Sequence, residues 1–451
     1  MTNSELRRSA LLNSITVLLG LLAMVAVFYG SAALSIDKPA QRLAEAFDDG
    51  TLSNEVAREL APLTGLVVFE SDYEGACSAY SHMLSPSEDL FGLGMRPNDP
   101  IYGCEAVNAT VHGRLGESFA PYYRYWQGAA AFNRMGLTMV SVFRWQIIIT
   151  AVVVGLLTAI VIKLWPYSRV LAIGTAIAFF VMIDFPWQGM APLHGLSSIF
   201  GLSFALLTLF AFERQWVARW GIATLGGVTY AMMAHTLIPM AFAMLTSLMA
   251  MAPLLRRQSS ARNFAVGPAV GLLWVFGYGL ATGARALWVA TLGPGPQQVL
   301  SEWTGTSGGF MIRSWIDPFS QTLGLLMKTW FEAGFMQIGL MAFFLVLGWS
   351  LARGGARSLL TSRSLVSLSP TLFGIGWLIV WANHSNHTYV HAVIGVMMLV
   401  LLFASETARA VPMNTSFRQG RALDNTSLGE NRHQSDAEPP QLRMHRGLAH
   451  R

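Results

Sequence analysis

Charged residues are scarce in this chain, and that scarcity excludes most soluble proteins. Only 12% of the 451 residues are Asp, Glu, Lys or Arg, whereas 53% are hydrophobic. Several uninterrupted apolar runs reach the roughly 20 residues that a helix needs to cross about 30 Å of hydrocarbon. The net charge of +5 would suggest nucleic-acid binding in a soluble chain, but here the basic residues lie in short loops and a tail, so we exclude a nucleic-acid partner.

The pattern predicts an all-α polytopic membrane protein in contact with a lipid bilayer, with about ten transmembrane helices. The predicted spans are residues 11–36, 145–163, 169–184, 195–212, 220–236, 237–255, 264–292, 333–352, 366–382 and 390–408. Pro239 marks a break between the fifth and sixth spans, where one long broken helix is the alternative to two short ones. The first span also imitates a signal peptide, but its apolar length favours a retained anchor.

Arginine placement predicts the orientation. Every second short connection is basic, while the connections at 185–194 and 383–389 contain no Lys or Arg. The positive-inside rule then places both termini in the cytoplasm. We expect a multi-pass protein of the bacterial inner membrane with an N-terminal tail and anchor at 1–36, a membrane domain at 144–409 and a disordered cytoplasmic tail at 410–451.

One large extracytoplasmic loop follows the first helix, at residues 37–143. It carries fourteen acidic against seven basic side chains and holds the only two cysteines, Cys77 and Cys104. An oxidising compartment predicts that these two form a disulfide. Residues 35–63 read as helical with a break at Asp49-Gly50. A second outer segment, 293–332, reads as a loop with one interfacial helix.

Histidines collect on the predicted outer side. The stretch "NHSNHTYVH" places His384, His387 and His391 at i, i+3 and i+7, on one face of a helix that includes them. Three such imidazoles could bind a metal, or an anion or substrate. The alternative is that the neighbouring Asn and Ser residues merely cap a helix.

Three other polar positions are candidates for the same site. Asp184 and His194 flank an irregular loop, "DFPWQGMAPLH", as a carboxylate base and a substrate ligand, although an ordinary solvated loop has the same composition. Arg285 lies within the apolar pattern of the seventh span, where an arginine is costly and by default functional unless it snorkels to the surface.

The segment "YYRYWQG" before the second span supplies further candidate site residues. Arg124, Tyr125 and Trp126 combine a phosphate-binding cation with aromatic rings. A membrane-interface aromatic belt explains the rings without a function, but it does not explain the arginine.

On these motifs the chain resembles an uncharacterised family of bacterial polytopic membrane proteins with an outer-loop YxRYWxG motif. The matching elements are Tyr122 to Gly128, Trp274 with Gly277-Tyr278 and Arg285, and Asn383 to Ser385. The architecture also resembles the C-type glycosyltransferase superfold, whose members use lipid-phosphate-linked sugars and an outer-loop acid. That resemblance implies Asp72 or Glu74 as further catalytic candidates.

Three functions are compatible with these observations. The first is a glycosyltransferase that takes sugar from a polyprenyl-phosphate donor and passes it to an envelope glycan. A transporter is the second, although transporters usually show repeats and charges near the bilayer midplane. The third is a non-catalytic envelope membrane protein. The sequence assigns no cofactor and no metal site.

Overall fold

The structure is a computed structural model of the chain. It describes residues 3–53, 58–61, 66–68, 77, 79–84, 95–97, 103–114, 119–121, 126, 128–182, 192–233, 239–257, 259–292, 334–354, 360–380 and 389–409. The predicted interfacial helix at 293–332 and the tail from residue 410 lie outside this part of the chain.

Long helices make up most of the described chain. Its first part contains α1 (Asn3–Ala32), α2 (Asp37–Asp48), β1 (Arg58–Ala61), β2 (Leu66–Val68), β3 (Met95–Pro97), α3 (Gly103–Val111), β4 (Phe119–Pro121), α4 (Gly128–Met139) and α5 (Val142–Leu164). The second part contains α6 (Arg169–Ile177, continued by a π-helical turn Ala178–Met182), α7 (Pro192–Glu213), α8 (Arg219–Met233), α9 (Pro239–Arg256), α10 (Ala261–Phe264), α11 (Val266–Leu292), α12 (Gly334–Gly354), α13 (Ser362–Leu368), α14 (Thr371–Val380) and α15 (Tyr389–Arg409).

Five of the described helices are long and apolar enough to cross a membrane: Arg7–Ala32, Val142–Leu164, His194–Glu213, Pro239–Arg256 and Ala261–Trp288. Helices overlap all ten predicted spans, and three of the remaining ones contain shorter apolar helices of 10–17 residues. The helical, membrane-compatible architecture is therefore correct, while the count of ten spans stays a prediction. Helix α8 ends at Met233 and α9 begins at Pro239, and the predicted break borders residues 234–238, which lie outside the described part of the chain.

Interhelical contacts define two ends of the helical assembly. At one end Lys163 lies 3.8 Å from Glu213, and Arg257 donates to the Glu213 carbonyl. We call this the basic end, because three more arginines lie on aromatic rings there: Arg169 on Trp165, Arg219 on Phe212 and Arg353 on Trp349. The opposite end carries α2, α3 and α4 with the disulfide, and we call it the disulfide end. Which side of the membrane each end faces remains a prediction.

The tightest helix crossing joins α8 and α11. A Cβ atom on Gly227 would overlap the carbonyl oxygen of Trp274, and one on Gly277 would overlap that of Thr224. Small residues allow such close backbone approach, which is how helices in membranes gain van der Waals contact. Around this crossing, α9 is almost entirely buried and forms the centre of the apolar core.

A small second core holds the disulfide end together. Cys77 and Cys104 are bonded, with their Cα atoms 4.9 Å apart, and both sulfurs lie among buried residues of α2, α3 and α4. The amphipathic α2 contributes Leu43 and Ala46 to this core and ends at the predicted Asp49-Gly50 turn, where Gly50 has a φ of +76°.

The helical prediction for residues 35–63 is wrong beyond that turn. Residues Arg58–Ala61 form a strand that pairs antiparallel with Leu66–Val68. A second short pair joins Met95–Pro97 to Phe119–Pro121. The β-branched Val67 and Val68 favour a strand, and pairing with them overrides the high helix propensity of "RELA".

Candidate functional site

Arg285 is buried within the membrane-compatible helix α11. Only 1% of its surface is exposed, whereas its neighbours Gly283, Ala284 and Leu287 face outward. The arginine therefore points into the protein and does not snorkel along the helix surface. A guanidinium is charged at every physiological pH, so its burial removes a positive charge from water.

Trp126 is the aromatic neighbour that positions this arginine. The Trp126 indole N–H donates to the carbonyl oxygen of Ala281, at 2.8 Å. Ala281 precedes Arg285 by four residues and lies on the same helix face. The guanidinium carbon of Arg285 consequently lies 5.3 Å from the centroid of the Trp126 ring, within the range of a cation–π interaction. Phe28 of α1 packs against the same ring, with the two centroids 6.2 Å apart.

The start of α4 fixes Trp126 in place. Gly128 sits directly on the last residues of α8, and a Cβ there would lie 2.5 Å from the Met232 carbonyl oxygen. Only glycine allows this approach. Trp126, two residues earlier, is thereby held between α1 and α11 at the disulfide end.

Two further arginines at this end bind backbone carbonyls. Arg134 of α4 donates through Nε and Nη2 to the Met83 carbonyl, at 3.2 and 2.7 Å. Burial lowers the pKa of Arg134, yet arginine starts so far above neutrality that it stays charged. Arg42 donates to the carbonyls of Leu137 and Val140 at the end of α4, where a cation complements the helix dipole. Both arginines therefore support the fold, and sequence reasoning missed them.

His194 is buried in the first turn of α7, with Ser197 and Ser198 beside it on the same helix. Helix α7 contacts α4 through Phe132 and Phe200, whose rings lie 5.5 Å apart. Helix α8 packs against both α7 and α11, so it lies between the helices that carry His194 and Arg285. Both residues belong to the disulfide end, and the common polar face stays a prediction.

Most other candidates fall outside the described residues. This applies to Arg124, Tyr125, Asp72, Glu74, Asp184, His384 and His387. Their roles as bases or ligands stay predictions. Within the part of the chain that the structure describes, no three His, Cys, Asp or Glu side chains are grouped to bind a metal.

A buried carboxylate, at the basic end, had no clear signal in the sequence. Glu406 of α15 accepts hydrogen bonds from Ser168, at 2.6 Å, and from Ser350, at 2.8 Å. Ser350 also bonds Ser405. Ser168 caps α6 by accepting from the Leu171 N–H, so one carboxylate joins α6, α12 and α15. This hydroxyl-lined carboxylate ties helices together far from Arg285.

Comparison with known proteins adds no relative to this description. The chain matches no family model, no curated protein and no solved structure.

Proposed function

We propose that the chain is a membrane glycosyltransferase that takes a sugar from a polyprenyl-phosphate-linked donor at its disulfide end. The observation that carries the proposal is the buried, charged Arg285 in contact with Trp126. A buried cation in a low-dielectric site attracts an anion far more strongly than it would in water. Arginine is also suited to phosphate, because its planar N–H groups match two phosphate oxygens.

Arg285 has a defined part in this reaction. An acceptor hydroxyl oxygen attacks the anomeric carbon of the donor sugar, and the bond from that carbon to the phosphate oxygen breaks. The leaving polyprenyl phosphate takes the electron pair, and Arg285 stabilises the negative charge that develops on it. The Trp126 ring contacts this guanidinium, and the planar N–H groups of an arginine are the atoms that bind phosphate oxygens.

A carboxylate must accept the proton of the acceptor hydroxyl. Asp72, Glu74 and Asp184 are the sequence candidates for that base. His194, His384 and His387 are the candidates for binding the acceptor. In this proposal Trp126 acts as a positioning residue, since its ring and its bond to Ala281 orient the guanidinium.

The test is mass spectrometry of lipid extracts and envelope glycans from a deletion strain complemented with variants. We expect the deletion to accumulate a polyprenyl-linked sugar and to lose one glycan residue. Arg285→Ala should fail to restore the glycan while its membrane abundance equals that of wild type. Loss of one charge-stabilising group should lower turnover about 10²- to 10³-fold. Arg285→Lys keeps the positive charge but lacks the planar guanidinium that binds two phosphate oxygens, so it should restore activity only partly.

Arg144→Ala is the matched control. Arg144 is exposed near the start of α5, so removing it changes the net charge equally without touching the site. We expect full activity from the Arg144→Ala control. His384→Ala is a second site variant, from which we expect no activity. Full activity of both Arg285→Ala and His384→Ala would refute the proposed site. Unchanged lipids and glycans in the deletion strain would instead favour transport or a non-catalytic envelope role.

A further inference from the structure

Three cationic side chains converge over the C-terminal end of α7, at the basic end. Helix α7 packs between α5 and α9 and ends at Glu213. Lys163 of α5 reaches it from one side, with its Nζ atom 3.8 Å from the Glu213 carboxylate. Arg257 reaches it from the other side and donates to the Glu213 main-chain carbonyl at 3.2 Å.

Tyr167 completes this cluster. It lies in the turn between α5 and α6, and the guanidinium carbon of Arg256 lies 5.8 Å from its ring centroid. Burial and a hydrogen bond to Glu213 raise the pKa of Tyr167, so its hydroxyl stays protonated at neutral pH and donates to that carboxylate. Glu213 thus interacts with Lys163 and Tyr167 together.

The charges of the cluster do not balance. Lys163, Arg256 and Arg257 contribute three positive charges against the single carboxylate of Glu213. Arg256 and Arg257 are both exposed. A net charge of +2 held on ordered side chains attracts a further anion, most simply one with phosphate oxygens.

The surface beside the cluster is apolar and open. Ile162, adjacent to Lys163, is 64% exposed, and Leu207, one turn before Phe210 on α7, is 40% exposed. The Lys163 ammonium lies 4.4 Å over the Phe210 ring, and the exposed Trp165 follows one residue after α5. Exposed aliphatic side chains with tryptophan at their border are typical of a surface covered by acyl chains and headgroups.

We propose that this cluster, Lys163, Tyr167, Glu213, Arg256 and Arg257, binds the headgroup of an anionic phospholipid. The phosphate lies against Arg256 and Arg257, and an acyl chain lies along Ile162 and Leu207. The adjoining apolar surface identifies a lipid phosphate as the ligand, because a free phosphate would gain nothing from it. Basic clusters next to membrane helices bind anionic headgroups in this way.

The site is independent of the proposed glycosyltransferase activity. It lies at the opposite end from Arg285, and it is measured by lipid binding without any donor or acceptor. Failure of either proposal therefore leaves the other unaffected.

The experiment is native mass spectrometry of the purified full-length chain in neutral detergent, titrated with phosphatidylglycerol or phosphatidylcholine. We expect phosphatidylglycerol to bind at least tenfold more tightly. Arg256→Gln/Arg257→Gln should weaken that binding about 30-fold, which is ~2 kcal/mol at ~1 kcal/mol for each basic residue near an anionic surface. Lys163→Gln should weaken it about fivefold, and it provides a second reading if the double variant is poorly folded.

The matched control is Arg262→Gln/Arg353→Gln, which removes two exposed arginines elsewhere at this end. It should bind phosphatidylglycerol within twofold of wild type. Equal binding of the two lipids, or a loss of phosphatidylglycerol binding in the control as large as in Arg256→Gln/Arg257→Gln, would overturn the proposed binding site. Displacement of phosphatidylglycerol by millimolar inorganic phosphate alone would overturn the lipid as its ligand.

Discussion

Gly277→Ala should separate α8 from α11, and Gly279→Ala should not. A Cβ on Gly277 would overlap the Thr224 carbonyl oxygen and lie 3.2 Å from the Val228 nitrogen, both backbone atoms that cannot rotate away. At Gly279, two residues later in the same helix, a Cβ would meet nothing within 4 Å. The two variants therefore add the same methyl group to the same helix with opposite steric results.

The magnitude follows from the contact. To restore ordinary van der Waals distance, α8 and α11 must move apart by roughly 1 Å, and a gap of that size loses about a quarter to a half of each pairwise dispersion energy. Overpacking of a well-packed core costs ~1–3 kcal/mol. We expect Gly277→Ala to lower the free energy of unfolding by about 2–3 kcal/mol. Gly279→Ala should raise it by up to ~1 kcal/mol, because alanine favours a helix over glycine.

The assay is reversible unfolding of the purified chain in mixed micelles, followed by circular dichroism against the mole fraction of denaturing detergent. Gly227→Ala, which would overlap the Trp274 carbonyl from the other helix, should give a similar loss. The double variant should lose less than the sum, since both changes separate the same crossing. Equal stabilities for Gly277→Ala and Gly279→Ala would refute the close crossing.

The remaining predictions concern single interactions. Cys77→Ser should lower the stability of the disulfide end by about 3.5 kcal/mol, which is the loop-closure entropy for a separation of 27 residues. The loss should appear as faster hydrogen exchange in α2 and α3, and unchanged exchange would contradict the prediction. Trp126→Phe keeps an aromatic ring but loses the indole N–H that bonds the Ala281 carbonyl, so the free energy of unfolding should fall by at least about 1 kcal/mol in the same micelle assay. No change would show that this bond contributes nothing. Glu406→Gln leaves one of two serine donors without its carboxylate acceptor and should lower the free energy of unfolding by ~1–3 kcal/mol. Glu213 is partly exposed, so Glu213→Gln should cost less than ~1 kcal/mol. A larger loss for Glu213→Gln than for Glu406→Gln would contradict the stabilising role of the buried Glu406 carboxylate.

Long helices were predictable because a membrane leaves the backbone few choices. Every N–H and C=O in hydrocarbon must be paired within the segment, so apolar runs such as those of α1, α5 and α11 have to be helical. The break predicted at Pro239 rests on a similar reason, since proline lacks the N–H that a helix interior needs. The strand at Arg58–Ala61 was not readable, because its hydrogen-bond partners belong to a segment that the local pattern does not identify.

The candidate site also combines a residue that the sequence identifies with a contact that only the packed structure shows. Arg285 could be identified from the sequence, since an arginine inside an apolar run must be compensated. Its contact with Trp126 depends on the bond between Trp126 and Ala281, which are 155 residues apart. Sequence reasoning treated Trp126 as part of an interfacial belt or a substrate contact, and the position of its ring against the arginine needed the packed helices.

The amino-acid sequence alone determined the apolar helices, the pairing partners available to its two cysteines and the arginine that burial in an apolar environment makes costly. These follow from local periodicity and from the energy of placing backbone and charge in hydrocarbon. Only the tertiary structure decided that Gly277 meets Thr224, that Trp126 holds Arg285, and that Glu406 joins Ser168 across 238 residues. Such contacts depend on which helix faces pack together, and no local pattern in the chain specifies that choice.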